Sequence, residues 1–206
     1  MSSYHKNVKC VIVGDEESGK KTLIFSYISR KPELQNYPSV YKPPNKRIKM
    51  GNYRINLYIY DTKGHPKYDY LRPLCYPLTD VFIICFSLIN ASTFDSVWTK
   101  WYPEIEHHCK HNIPVLLVGT KLDLRDKKLN MVDKNNQELS ISEQTQCIKQ
   151  ISYQDGLTMA ETIGAEKYME CSALLNKSIE VVFDTAAKVV LSRVPTYIKK
   201  RPCLLM

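Results

Sequence analysis

The sequence predicts a mostly parallel, doubly wound α/β sheet, and three observations carry that expectation. Short β-rich apolar runs alternate with longer helix-like stretches along the chain. The first run leads through Gly14 into a helix, the strand–turn–helix pattern that opens many such sheets. Two further runs flank the dipeptide "GN", a hairpin signal. Ligands of doubly wound sheets sit beyond the carboxyl ends of the strands. The loops after Val13, Tyr60, Val118 and Glu170 are therefore the places to look for chemistry.

"NVKCVIV" (7–13) reads as a first buried strand, followed by a helix from about Gly19 to Arg30. "RIKM" (47–50) and "RINLYIY" (54–60) are the hairpin strands. "VFIICFSL" (81–88), "IPVLLVGT" (113–120) and "KYMEC" (167–171) supply three more strands, with helical patterns over 93–109, 157–163 and 178–191. The segment 125–156 is polar, rich in lysine and glutamine, and reads as an exposed insertion with a partly helical middle. One domain over 1–192 and a basic tail over 193–206 account for the whole chain.

A chain of 206 residues with 44% hydrophobic and 24% charged content can bury a full core. The longest clear apolar run, 81–89, suits a buried strand and is too short to span a bilayer. The start lacks a hydrophobic signal core, and the seven cysteines lack disulfide-like spacing, which points to a reducing compartment. The net charge of +8 attracts nucleic acid, acidic membrane or acidic partners. Its concentration in "IKKR" (198–201) favours a membrane over nucleic acid. "HHCKH" (107–111) has no second ligand cluster to make a metal site.

Each strand-end loop carries a motif. Gly14-x-x-x-x-Gly19-Lys20 presents backbone N–H groups and a helix N-terminus to phosphates, with Lys20 reaching the outer ones. Glu16, Glu17 and Ser18 fill its middle, and Lys21 and Thr22 follow it. The strict pattern requires Ser or Thr where Lys21 stands. In "DTKG" (61–64), Asp61 can hold a magnesium-bound water and Gly64 can offer its N–H to a terminal phosphate. In "TKLD" (120–123), the Asp123 carboxylate can accept from N1–H and the exocyclic amine of guanine, a pair that adenine does not present. Lys121 packs its stem along the base in the same arrangement. In "CSAL" (171–174), which includes Ser172, the Ala173 N–H can donate to guanine O6.

With four such elements in chain order, the sequence resembles a small GTPase of the Rho family, close to its Rac-like branch. The likeness runs from about residue 7 to the C-terminus and is densest over 68–88, 100–109 and 118–126. Thr120 agrees with the Rho pattern, and the insertion lies where Rho proteins carry an extra helix. The resemblance implies a P-loop NTPase-type fold, a six-stranded sheet with helices on both faces, bound GTP or GDP, and Mg²⁺. It also implies two switch segments that read the γ-phosphate and bind effectors. The first is Asn36-Tyr37-Pro38-Ser39-Val40-Tyr41-Lys42-Pro43-Pro44, in which Ser39 matches the Mg²⁺-ligating threonine of the family; the second runs through 64–73. Exchange factors and dissociation inhibitors are further partners by resemblance, with no nucleic acid among them. The ending "CLLM" (203–206) reads as a prenylation signal on Cys203, with Met favouring farnesyl. Lys199, Lys200 and Arg201 supply the second membrane signal. This places the chain on the cytoplasmic face of the cell membrane, with a cytosolic pool.

Several matched positions depart from the family. Glu16 stands where the family has glycine and crowds the space for attacking water and an arginine finger. His65 replaces the glutamine that orients that water. Finger and water positioning together are worth roughly 10⁵-fold in rate, about 7 kcal/mol of barrier. Slow hydrolysis is expected, as in the Rnd branch, which departs at the same loop and glutamine. Lys21 replaces a Mg²⁺-ligating hydroxyl, and an ammonium cannot ligate a cation. Thr22 is about 100° further around the helix and does not replace it. Lys21 is therefore expected to substitute in part for Mg²⁺, offset by Glu16 or Glu17. Pro32 takes the place of a phenylalanine that covers guanine, and Lys42 the place of an aspartate on the effector face. These changes leave open a second reading, a pseudo-GTPase scaffold holding little or no nucleotide.

Overall fold

The computed structural model of the chain describes residues 4–30, 44–109, 112–127 and 150–193. Six strands form one sheet: β1 (Tyr4–Val13), β2 (Asn45–Met50), β3 (Tyr53–Asp61), β4 (Val81–Ser87), β5 (Val115–Thr120) and β6 (Lys167–Glu170). Their order is β2-β3-β1-β4-β5-β6, and every pairing is parallel except the β2–β3 hairpin. Gly51 takes φ 56° in the hairpin turn, with open space around it, so glycine is there for backbone conformation and not for packing. The α/β class and the doubly wound arrangement stand as the sequence indicated.

Alternation along β1 splits the core into two halves. Val8, Cys10 and Ile12 pack with α1 (Lys20–Ser29) and the last helix, where the Tyr27 and Phe183 rings stack at 4.0 Å between centroids. Val11 and Val13 point to the other face, toward Trp101, Ile105, Ala160 and Ile163. Strand β4 is buried throughout because helices cover both its faces.

The region expected as one helix over 93–109 is three segments. Helix α2 (Ala91–Ser96), capped by the Asn90 side chain, gives way to a π-helical stretch at Val97–Trp101 and then to α3 (Tyr102–His108). Pro103 supplies the reason: it has no N–H to donate, and its ring crowds the carbonyl of Thr99 one turn earlier. Helix α4 (Tyr153–Thr162) begins four residues before the expected 157. Ser152 and Asp155 close a reciprocal capping box, each bonding the other's backbone N–H. The supposed insertion is therefore shorter at both ends. Ile151 is buried and its N–H donates to the Leu88 carbonyl, while Arg125 grips both oxygens of Glu170 and the Ile151 carbonyl. The middle of that segment, 128–149, lies outside the described residues, as do 31–43 and the tail from 194. Asn36 to Pro43 of the first switch, Pro32 and Cys203 fall there.

Helix α5 (Ile179–Ser192) completes the fold one residue later than expected. The other boundary differences are extensions or trims at strand ends: β1 starts at Tyr4, β2 and β3 lengthen as a hairpin, and β5 starts at Val115.

Gly156 lies inside α4, where alanine ordinarily stabilises a helix by about 1 kcal/mol. A Cβ there meets the Tyr168 ring at 2.1 Å. Gly156→Ala is therefore expected to destabilise the protein by about 1–3 kcal/mol in equilibrium urea unfolding, reversing the usual sign.

Candidate functional site

The loop between β1 and α1 is shaped by close approach. Gly14 has φ 145°, and a Cβ on it would lie 2.3 Å from the Cys85 carbonyl oxygen on β4. Gly19, at φ 86°, has the same constraint 2.8 Å from Thr120 Oγ1. The Thr120 hydroxyl donates to the Ser18 carbonyl at 2.7 Å and lies 3.1 Å from the Phe86 carbonyl, tying the loop to β4 and β5. Trp101 Nε1–H donates to Asp15 Oδ1 at 2.9 Å from the opposite side. Glu17 takes a left-handed φ of 63°, and both Glu16 and Glu17 are exposed at the rim.

Lys20 is buried, and its ammonium donates to the Gly14 and Asp15 carbonyls at 2.7 Å each and to Ser18 Oγ at 3.4 Å. Burial holds its pKa below the ordinary lysine value, while the charges of Cys85, Asp61 and Asp15 act the other way. Asp61 ends β3 beside Ile12 of β1. Burial pushes its carboxyl up, against the pull of three ammonium groups, Lys20, Lys63 and Lys21. The next residue, Thr62, donates its hydroxyl to the Ile12 carbonyl at 2.7 Å. Gly64 then presses onto the loop: a Cβ there would sit 2.5 Å from both the Glu16 nitrogen and the Gly14 oxygen.

These elements enclose a cleft of about 500 Å³ at the carboxyl ends of β1, β3 and β5. From the loop and α1 it takes Glu16, Glu17, Gly19, Lys20, Lys21 and Thr22; from the end of β3, Asp61 to Gly64; and from the β5 loop, Lys121. Gly14, Ser18 and Thr120 are buried behind that surface as supports. Thr62 and Lys63 line the cleft without having been singled out as site residues in the sequence, although "DTKG" contained both.

His65 does not line the cleft. Its Nδ1 accepts from the Lys67 N–H at 3.2 Å and caps the 3₁₀ turn Pro66–Tyr68. The sequence also missed the brace behind this turn. Arg72, buried, grips both oxygens of Glu104 on α3 at 2.8 and 2.5 Å, Asp69 at 2.6 Å and the Lys63 carbonyl at 2.7 Å. Its guanidinium lies over the Trp101 ring at 4.5 Å. The carboxylates of Glu104 and Asp69 hold its pKa above the ordinary arginine value against the penalty of burial.

At the far end, Lys121 adopts a left-handed φ of 61°, and the following Leu122 N–H bonds the Cys171 carbonyl. Asp123 is buried, and its Oδ1 accepts from Ser172 Oγ at 2.6 Å. Leu175 N–H donates to the same Ser172 oxygen at 3.1 Å, and the Ala173 carbonyl accepts from Ser26 Oγ at 3.3 Å. Helix α1, the β5 loop and the β6 loop are thereby tied together.

The donor set fits a guanine nucleotide. Glycine contacts keep the phosphate loop open to backbone approach, Lys20 stands at its centre, and Asp123 is held in a fixed orientation by Ser172. It does not fit a magnesium ion held in the family manner. The residue that should offer a hydroxyl from the first turn of α1 is Lys21, whose ammonium is itself a cation. Among the described residues, no group of three or more His, Cys, Asp or Glu side chains is placed to hold a metal.

Arg72→Ala leaves Glu104 without its partner and the Lys63 carbonyl without its donor. The variant is expected to lose about 3–5 kcal/mol of stability in equilibrium urea unfolding.

The Ras family model matches residues 9–192, spanning the sheet from within β1 to the end of α5. Phosphate loop, β3-end turn and guanine-side loops all lie inside that match, and the chain belongs to the Ras family of small GTPases.

Proposed function

We propose that this small GTPase is a Rho-like guanine-nucleotide switch with slow intrinsic hydrolysis, anchored at the cytoplasmic face of a membrane. The observation that carries the nucleotide part is the convergence of the Gly14–Lys20 loop, Asp61, Gly64 and Lys121 on one cleft, with Asp123 fixed by Ser172 beside it. Residues that recognise guanine and residues that grip phosphates come from different strands, and a chain without use for the nucleotide has no reason to assemble them.

Slow hydrolysis is supported by geometry as well as residue type. The imidazole at 65 is engaged in capping its own 3₁₀ turn instead of facing the cleft. The Glu16 side chain occupies the rim where an attacking water or an inserted arginine finger has to enter. Gly64 is packed against the Glu16 nitrogen, so the loop and the second switch leave little free space between them. The Rho assignment is supported by the sequence likeness over 68–88, 100–109 and 118–126 and by Thr120. Prenylation of Cys203 beside Lys199, Lys200 and Arg201 supports the membrane location. Effector proteins at the switch segments, with exchange factors and dissociation inhibitors, are the partners this reading entails.

Nucleotide released on denaturing the purified protein, separated by chromatography, tests the reading. GTP is the expected species; GDP indicates an active enzyme, and an empty protein indicates the scaffold alternative. In single-turnover assays the double variant Glu16→Gly, His65→Gln is expected to speed hydrolysis by at least about tenfold. An unchanged rate would place the defect elsewhere.

A further inference from the structure

The side chains that line the cleft carry a surplus of positive charge. Four lysines line it, Lys20, Lys21, Lys63 and Lys121, against three carboxylates, Glu16, Glu17 and Asp61. Glu16, Glu17, Lys21 and Lys63 are exposed at the mouth of the cleft, whereas Lys20 is buried and Asp61 half-buried; the charges of Lys20, Lys63 and Lys21 all favour the ionised Asp61 carboxylate. Lys20 directs its ammonium into the loop carbonyls and Ser18 Oγ, which fixes its position. Lys21, in the first turn of α1, and Lys63, two residues beyond Asp61, are further cations that line the cleft with that carboxylate.

A divalent cation bound through Asp61 has to enter this field of ammonium groups, and like charges repel more strongly in a partly buried site than in open water. It also prefers oxygen ligands; Lys21 stands at the α1 position that matches the family's ligating hydroxyl, and the hydroxyl this turn does bring to the cleft, Thr22, lies one residue further on. The phosphates themselves have no such difficulty. Free of metal, their full negative charge meets Lys20, Lys21 and Lys63 together with the backbone N–H groups of the loop.

Building on the reading that a guanine nucleotide fills the cleft, we infer that the chain supplies its own counter-cation. Lys21 and Lys63, which line the cleft with Asp61, take over the electrostatic part of magnesium, and the protein binds metal-free guanine nucleotide in place of the magnesium complex. Lys63 makes this more than a single-residue loss: one lysine replaces a ligand, and a second brings charge to the same cleft from the end of β3.

The test uses the full chain loaded with the fluorescent analogue N-methylanthraniloyl-GDP and chased with excess GDP, in magnesium buffer and in EDTA. The release rates are expected to agree within about threefold, where a site held together by the metal is expected to differ by at least about tenfold. Lys21→Thr, which restores a hydroxyl, is expected to make release metal-sensitive by that larger factor. Lys63→Ala is expected to speed release in both buffers alike. Wild-type release at least about tenfold faster in EDTA overturns the inference while leaving nucleotide binding intact. Failure of the wild-type protein to take up the analogue in either buffer overturns the guanine-nucleotide reading and the inference with it. The wild-type arms decide the matter even if a variant does not fold.

Discussion

The whole site depends on how tightly three pieces of backbone crowd the turn after β1. Gly14 lies against the Cys85 carbonyl, Gly19 against the Thr120 side chain, and Gly64 against the loop's own nitrogen and oxygen atoms, each at a distance that admits no Cβ without displacement. The two left-handed glycines let the chain curl so that its N–H groups face inward. The third lets the end of β3 approach the loop from the other side. Remove any of these approaches and Lys20 loses the carbonyl cage that positions it.

Around that turn the fold places braces of different kinds. The Thr120 hydroxyl fastens it to β4 and β5, and the Trp101 indole fastens Asp15 to the π-helical stretch between α2 and α3. Arg72 binds the β3-end segment to α3 through a bidentate pair and to Trp101 through its ring face. A buried pair of this sort does little for net stability by comparison with well-packed apolar groups, but it fixes orientation. Here it orients the segment that carries Lys63 and Gly64 into the cleft.

Most of the architecture was legible because strand periodicity and turn glycines are local signals. The six strands, the hairpin at Gly51-Asn52 and the cleft-lining ends of β1, β3 and β5 follow from short windows of residues. Lys20, Asp61, Gly64 and Lys121, which line one cleft, belong to motifs readable in the same short windows. The helical pattern over 93–109 is broken into three segments, because Pro103 interrupts the hydrogen-bond ladder within a window that is otherwise strongly helical. The structure also corrected the start of α4, where Ser152 and Asp155 formed a readable cap inside a segment judged by its polarity. The role of Arg72 and the capping pose of His65 were not legible, because each depends on partners brought near by the fold: Glu104 on a distant helix for one, the 3₁₀ turn Pro66–Tyr68 for the other. Lys63 was passed over because a lysine in a turn carries no signal until its neighbours in space are known.

Arg72 has one mechanical effect that its charge pairing does not convey. By holding the Lys63 carbonyl nine residues upstream, it stitches the intervening chain into a closed lasso that presents Tyr70, 93% exposed. Such a lasso is too short to swing away as a free arm. Tyr70 and Leu71 are thereby tethered, through Arg72, to the Lys63 carbonyl, one peptide from Gly64 on the wall of the cleft.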